Sequence, residues 1–408
     1  MPGTGTTDAP ARGRTGGRRW LRWALAALAL ACALAIVAGF FGDHVAAFDS
    51  IGHFRAHLSV AALLVGIAAL IAGPAIPRIA SAVALAAALA GLVTVAPYVL
   101  PDSTPMAADA VEGRPAYRLL QMNLRYDVAE PAEAIRRIAA ETPDVVTLQE
   151  TGRDWQARLE TLSATYPHQC YCSGPFAQGN VAILSKRPFV NETGYCDVVN
   201  GFAARRIDFN GTVATIVSQH LQWPWPFGHW RQLDELQETL GLLRGPVLIA
   251  GDFNATPWSA ALATYAVASG TTPMTGIGFT WLLRALPGAL TPYIGLPIDH
   301  VLATPGIVIR RLDTLAPTAS DHLPIAATFS LPAAAPAAPD TPLAAALQLG
   351  GRSRSDVTRQ TCAPPLCDGT RSYLQVRILD GVGDPITVPP LLRRDRHQDL
   401  VQRLRPLR

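Results

Sequence analysis

The chain has 408 residues, enough for two or three domains, and with 49% hydrophobic and 16% charged residues it is too apolar to be held entirely in water. Its formal charge of +3 is small and its arginines are densest in the two tails, so no basic face marks a nucleic-acid duplex as the partner.

The apolar excess lies before residue 101. Residues 1–19 read as a basic tail, and 20–100 hold three stretches without ionisable groups except at their margins, at about 23–42, 58–77 and 79–100. Each is close to the ~20 residues a helix needs to cross a hydrocarbon core, so three transmembrane helices are predicted. Arg12, Arg14, Arg18, Arg19 and Arg22 precede the first span, whereas the loop from Asp43 to His57 carries only Arg55 beside two aspartates. The positive-inside rule therefore keeps the amino terminus in the cytoplasm. Three crossings then place the chain after residue 100 on the far side, which in a bacterial inner (cytoplasmic) membrane is the periplasm. A re-entrant pair at the Pro-rich turn 73–78 would reverse that sidedness. The cysteines agree with an oxidising compartment: Cys196 can pair with Cys170 or Cys172, and Cys362 with Cys367, with the pairing left open by sequence.

After a linker at 101–114, strands alternate with helices. Strands are predicted at 117–124 and 144–150, with a helix at 131–141 whose apolar face is Ala132, Ile135, Ile138 and Ala139. Further strands are predicted at 180–186 and at 205–220, the latter folded around Asn210-Gly211, a strong hairpin signal. A helix over 229–243 presents Trp230, Leu233, Leu236, Leu240 and Leu243 at spacings of three and four. The strand 246–254, a short helix near 258–268 and strands near 298–304, 307–312 and 323–331 complete a domain of packed sheets flanked by helices, spanning 115–331. Residues 332–408 begin as a Pro/Ala linker and continue as an Arg-rich tail without periodicity, the composition of a disordered segment.

Many of these strands stop on a group able to hold a metal or a phosphate: Asn123, Glu150, His220, Asp252 with Asn254, Asp299, and Asp321 with His322. One such residue is an ordinary turn former. A set is different, because carboxylates that converge must be paired with a cation or be protonated. MNLR (122–125), LQE (148–150), SQHL (218–221), GDFN (251–254), IDHV (298–301) and SDHLP (320–324) also occur in the order of the endonuclease/exonuclease/phosphatase family, and the chain resembles a bacterial membrane-anchored member of it.

The resemblance implies a DNase I-like four-layered α/β sandwich, two mainly antiparallel sheets packed together and flanked by helices. It further implies a hydrolase of phosphoric ester bonds using Mg²⁺, with Mn²⁺ as the alternative ion. Glu150 would bind the metal, with Asn123 and Asp321 completing or orienting its shell. Asp252 would orient or deprotonate the attacking water and Asn254 would donate to a phosphoryl oxygen. Asp299 would fix the His322 ring, and His220 would contact phosphate or the leaving oxygen. The substrate would be a phosphate ester in a lipid headgroup, a small phosphorylated molecule or a nucleic acid; the apolar spans make the lipid bilayer the second expected partner, and no protein partner is implied. A nuclease and a non-catalytic DNase I-like binding or scaffold module are the alternative functions. His300 stands where the family often has an aromatic residue, a departure that bears on substrate packing. WPWPFGHW (223–230) could stack a base, grip a sugar or rest among lipid headgroups, and Arg205 or Arg206 could reach a phosphate.

Overall fold

The computed structural model describes residues 13–72, 75–99, 113–174, 177–190, 194–283 and 294–333. The linker and the tail expected at 101–114 and 332–408 lie outside these residues apart from their margins, as do Cys362 and Cys367.

Two six-stranded sheets form the domain. The first is ordered Val308–Thr314 (β13), Ile325–Ser330 (β14), Tyr117–Asn123 (β1), Val145–Gln149 (β2), Val181–Ser185 (β4) and His168–Cys172 (β3). The second runs Tyr195–Asp197 (β5), Phe202–Phe209 (β6), Thr212–His220 (β7), Val247–Asp252 (β8), Asp299–Ala303 (β12) and Thr272–Pro273 (β9). Pairing is antiparallel except for β1 with β2 and β7 with β8. Those parallel pairs need crossovers, which helices Ala132–Glu141 (α5) and His229–Gly241 (α7) provide. Asn210 and Gly211 both adopt positive φ, 58° and 91°, in the tight turn that joins β6 to β7. A separate pair, Trp281–Leu282 (β10) with Gly295–Leu296 (β11), lies between β9 and β12 in the chain.

Period-two alternation divides the strands between three apolar clusters. Leu119, Val145, Ile183, Ile216, Leu248, Val301 and Phe329 meet between the sheets. Leu120 and Val146, on the other face, pack with Ile138 of α5 and with Trp155 of Arg153–Leu159 (α6). Val217 and Ile249 likewise pack with Leu233, Leu236 and Leu240 of α7 and with Tyr265 of Ala260–Ser269 (α8). Helices, sheet, sheet and helices therefore make the four layers expected. One helix face is rotated from the prediction: α5 buries Ala134 with Ile138 and leaves Ala132 and Ala139 exposed. Alanines on both sides of α5 blur its apolar stripe, and contact with Leu120 and Val146 selects the face. Cys172 pairs with Cys196, joining edge strand β3 of one sheet to edge strand β5 of the other. Closing a loop of that length stabilises the fold by roughly 3 kcal/mol in the chain-entropy view.

The amino-terminal region departs further from expectation. Gly13–Ala38 (α1), continued by the 3₁₀ turn Gly39–Phe41, and Ala75–Val99 (α4) supply helical stretches, 19–41 and 78–99, long and apolar enough to cross a membrane. The middle helix, Arg55–Ala72 (α3), passes the same test only together with Ala46–Gly52 (α2), from which it is bent by 65°. Two candidate spans are thus clear where three were expected. The short helix α2, set in the loop from Asp43 to His57, had no sequence signal strong enough to predict it. Its packing depends on glycine: a Cβ on Gly39 would come within 2.8 Å of the Gly52 Cα. Arg55 binds the helices at this end, donating to the Gly39 carbonyl at 2.8 Å and lying 4.1 Å from the centre of the Phe40 ring. Small side chains such as Ala62 and Ala88 fill the interior of the bundle while Leu34, Leu64, Ile71 and Leu89 are exposed, the reverse of a water-soluble bundle.

Candidate functional site

The face between the sheets is apolar along most of its length and polar at one end. Reading inward-facing positions in sequence, β1 gives Leu119, Gln121, Asn123; β2 gives Val145, Thr147, Gln149; β7 gives Ile216, Ser218, His220; β8 gives Leu248, Ala250, Asp252. The four strands carry their polar residues at their carboxyl ends, and antiparallel β12 begins at that same edge with Asp299. Register then aligns His220 with Asp252 and Asp252 with Asp299 across three neighbouring strands. Gly251 permits the close approach of β7 and β8, since a Cβ there would lie 1.9 Å from the Gln219 carbonyl oxygen.

Asp252 is the centre of the cluster. Its Oδ2 accepts from Asn123 Nδ2 at 3.0 Å and lies 3.5 Å from His220 Nε2 and 3.7 Å from His322 Nε2. Its Oδ1 accepts from the Asn254 backbone N–H at 2.8 Å. The carboxylate is 1% exposed, and burial together with the nearby Asp299 charge outweighs His322 and His220, raising its pKa to about 6.

His322 Nδ1 and Asp299 Oδ2 are 2.8 Å apart, and Asp299 Oδ1 accepts from Gln121 Nε2 at 2.9 Å. Burial disfavours the imidazolium, yet the carboxylates of Asp299 and then Asp252 overcome it and raise His322 to about 10. Burial likewise works against the Asp299 anion, but His322, Thr280 and Gln121 hold its pKa below the ordinary value. At neutral pH the pair is therefore carboxylate and imidazolium.

Asn254 has φ 47°, in the left-handed region that asparagine tolerates best among non-glycine residues. Its Nδ2 donates to the Leu221 carbonyl at 2.8 Å and lies 3.4 Å from His220 Nε2. Glu150 also takes positive φ, 57°, at the end of β2, which turns its half-buried carboxylate to the mouth of the site. Its Oε1 accepts from Asn123 Nδ2 at 3.1 Å and its Oε2 from the Tyr126 N–H at 3.1 Å. Since Asn123 Oδ1 accepts from the Arg125 N–H at 2.9 Å, the Asn123 side chain turns its amide N–H groups toward the two carboxylates.

Of the eight expected residues, seven thus join one hydrogen-bonded cluster. Asp321 is the exception: its Oδ2 accepts from Trp281 Nε1 at 3.3 Å, beside the bridge between Trp281 and His322. Among the described residues, the tightest set of metal-capable groups is Asp252, Asp299 and His322, with ligand atoms within 4.8 Å of one another. Asp299 and His322 already satisfy each other there. Glu150 instead presents carboxylate oxygens at the open mouth, the hard donor chemistry that suits Mg²⁺ with its retained waters.

Three further residues support the site. Gln121 buttresses Asp299 and itself binds Gln149 Oε1 at 2.8 Å, and Ser320 Oγ donates to the Asn123 carbonyl at 2.7 Å and accepts from the His322 N–H at 3.1 Å. Gln121 had a readable signal, a polar residue at an inward position of an otherwise apolar strand. His300, by contrast, faces the helices: its Nε2 meets the Ala255 carbonyl at 2.7 Å and its ring stands edge-on to Phe253. Arg205 is buried over the Phe189 ring and is paired with Ile216, four positions before His220 on β7, so the phosphate contact considered for it is not formed by this geometry.

The profile described as "Endonuclease/Exonuclease/phosphatase family" matches residues 120–322. A UPF0294 protein of Vibrio cholerae is 36% identical over 100 residues, 24% of this chain and 31% of that protein, so the match spans about a third of the relative's length. Similar solved structures include TDP2 of D. rerio complexed with a single-strand DNA product (18% identity, 53% of this chain and 99% of that one, TM-score 0.45). An endonuclease/exonuclease/phosphatase from Beutenbergia cavernae is 21% identical, covering 54% and 73%, with TM-score 0.43. Sphingomyelinase C from Streptomyces griseocarneus is 20% identical, covering 52% and 99%, with TM-score 0.40. Through the domain that carries the Asp252 cluster, the chain belongs to the endonuclease/exonuclease/phosphatase family, whose members are hydrolases acting on phosphoester bonds.

Proposed function

We propose that this protein is a membrane-anchored, Mg²⁺-dependent phosphoesterase that hydrolyses a phosphodiester or phosphomonoester in a lipid headgroup. The observation that carries the reading is the convergence of Asp252 with His220, His322, Asn123 and Asn254 at one end of the sheets, beside the open Glu150 carboxylate. Glu150 would hold the ion, oriented by Asn123, with Mn²⁺ as the alternative. When bound, such an ion neutralises charge on the phosphoryl oxygens. Asp252, ionised at neutral pH but more basic than an ordinary carboxylate, takes the proton of the attacking water. Asn254 Nδ2 and His220 donate to phosphate oxygens, and the His322 imidazolium, held by Asp299, faces the charge that grows in the transition state.

A lipid substrate is favoured by the aromatic loop. Trp223, Trp225 and Phe227 are 61%, 55% and 65% exposed, and Ser50 of α2 donates to the Trp225 carbonyl at 3.1 Å. The loop is thereby held beside the ends of the apolar helices, at the level where tryptophan prefers to sit in a bilayer. The test is hydrolysis by the detergent-solubilised chain of bis(4-nitrophenyl) phosphate, 4-nitrophenyl phosphate, phospholipid vesicles, DNA and RNA, with Mg²⁺ or chelator. Mg²⁺-dependent turnover is expected, with Glu150→Ala about a thousandfold slower. Replacing Trp223, Trp225 and Phe227 by serine should slow vesicle turnover and spare the soluble diester. Preferential cleavage of DNA or RNA would favour the nuclease reading, and turnover of nothing would favour a binding module.

We further infer an inner-membrane protein with its catalytic domain outside the cytoplasm. The α1–α3 junction and Tyr98, near the end of α4, lie against the same catalytic-domain loop, with the Tyr98 and Trp258 ring centres 6.2 Å apart. Helices that end in this way run in alternate directions, which supports three crossings, and the Cys172–Cys196 disulfide suits an oxidising compartment. An alkaline phosphatase reporter fused after residue 331 should be active; activity confined to a cytoplasmic reporter at that position would reverse the topology.

A further inference from the structure

The loop that carries Asn254 is gripped from outside its own domain. Three residues of the membrane-proximal turn reach it: Asp49 Oδ1 accepts from the Ala260 N–H at 2.8 Å, the Gly52 carbonyl accepts from Trp258 Nε1 at 2.7 Å, and His53 Nε2 meets the Asn254 carbonyl at 3.2 Å. The last contact completes the local bonding of Asn254. Its N–H is taken by Asp252 Oδ1, its side-chain amide by the Leu221 carbonyl, and its own carbonyl, turned away from the site by the left-handed backbone, is reached by His53. Buried carbonyls need a donor. His53 is itself buried and its Nδ1 lies 2.7 Å from the Asp49 carbonyl; the neutral ring carries one N–H, and its Nε2–H tautomer is the one that donates to the Asn254 carbonyl.

We infer that His53, from the turn between the amino-terminal helices, is a positioning residue for hydrolysis: it holds the Asn254 peptide so that the Asn254 amide is presented to the substrate phosphate. This rests on the phosphoesterase reading above and deepens it, because it makes the membrane-proximal turn part of the working site. The effect comes from lever geometry. Asn254 adopts a conformation that non-glycine residues rarely take, and such conformations persist when their surroundings fix them. A donor amide that strays by about 1 Å loses most of its preference for the transition state.

The test uses the full 408-residue chain in detergent, with bis(4-nitrophenyl) phosphate and Mg²⁺ as probe. His53→Leu fills the volume without a donor, and His53→Gln restores an N–H near the Nε2 position. The leucine protein should lose 10- to 100-fold in kcat with KM within about twofold, and the glutamine protein should recover to within about threefold of wild type. In an Asn254→Ala background, His53→Leu should cost less than a further twofold, since the group being positioned is gone. Equal rates for folded leucine and glutamine proteins, or a loss that multiplies undiminished through Asn254→Ala, would overturn the inference. If the leucine protein does not fold, His53→Ala with added imidazole makes the same comparison: rate recovery supports the role and its absence refutes it. A chain active as wild type but inactive as Asp252→Asn, with His53 variants unaffected, would remove this inference alone. Wild-type inactivity on every phosphoester probe would remove the reading beneath it.

Discussion

Asp252→Asn should stop turnover and, at the same time, change the pH dependence of stability in a defined sense. The amide keeps the shape of the side chain, and its oxygen can still accept from the Asn254 N–H, but it cannot take a proton from water. A loss of a thousandfold or more in kcat is expected, about 4 kcal/mol of transition-state stabilisation. In the wild type, the rate should rise with pH through about 6, as the buried Asp252 ionises. Stability runs the other way. The folded pKa of about 6 lies above the ordinary 3.8, so the folded state binds more protons between those values, and wild-type stability falls as pH climbs through them. The size is on the order of 3 kcal/mol. Melting of both proteins in chelator from pH 4 to 7 should show the asparagine variant gaining on the wild type. Undiminished hydrolysis by the variant would remove Asp252 from the mechanism.

His322→Ala should damage both fold and function, because it leaves Asp299 without its charge partner. Asp299 is 0% exposed, and its Oδ2 faces His322 Nδ1 at 2.8 Å. Breaking a buried pair from one side costs about 3–5 kcal/mol, most of it the stranded charge. Adding Asp299→Asn should return much of that stability, since an amide in the same place carries no charge, and should return none of the activity. Unfolding titrations and bis(4-nitrophenyl) phosphate turnover on the two single variants and the double variant make the comparison. The pair also sets a pH window. The folded His322 pKa of about 10 exceeds the ordinary 6.5, so its contribution is fully present below pH 6.5 and is lost as pH rises through about 10. The His322→Ala protein should lack that alkaline decline. A double variant no more stable than His322→Ala would show that the stranded Asp299 charge is not what the single change costs.

Both outcomes depend on residues separated by up to two hundred positions, and the sequence announced most of them. Asp252, Asn254, Asp299 and His322 stand at strand ends within short motifs, and polar residues that interrupt apolar alternation are visible in one dimension. Gln121 carried the same signal without a motif around it. Asp321 shows the limit: its neighbour His322 enters the cluster while its own side chain turns to Trp281, a choice made by the bridge that Trp281 forms with His322. His300 shows the value of strand periodicity, which places it on the face opposite Asp299 whatever its chemistry. Ala132 and Ala139 show where a pattern of small residues fails, because alanine fits buried and exposed positions alike.

Local chemistry along the chain was enough to determine the strand-and-helix alternation, the hairpin at Asn210-Gly211, the apolar amino-terminal region and the family of the domain, since each depends on residues close in sequence or on a fixed order of motifs. The pairing of Cys172 with Cys196, the raised pKa values of Asp252 and His322, the helix at 46–52 and the contact of His53, just after it, with Asn254 were decided only in three dimensions. Burial, register and the distance between charges are properties of the packed molecule, and no single segment contains them.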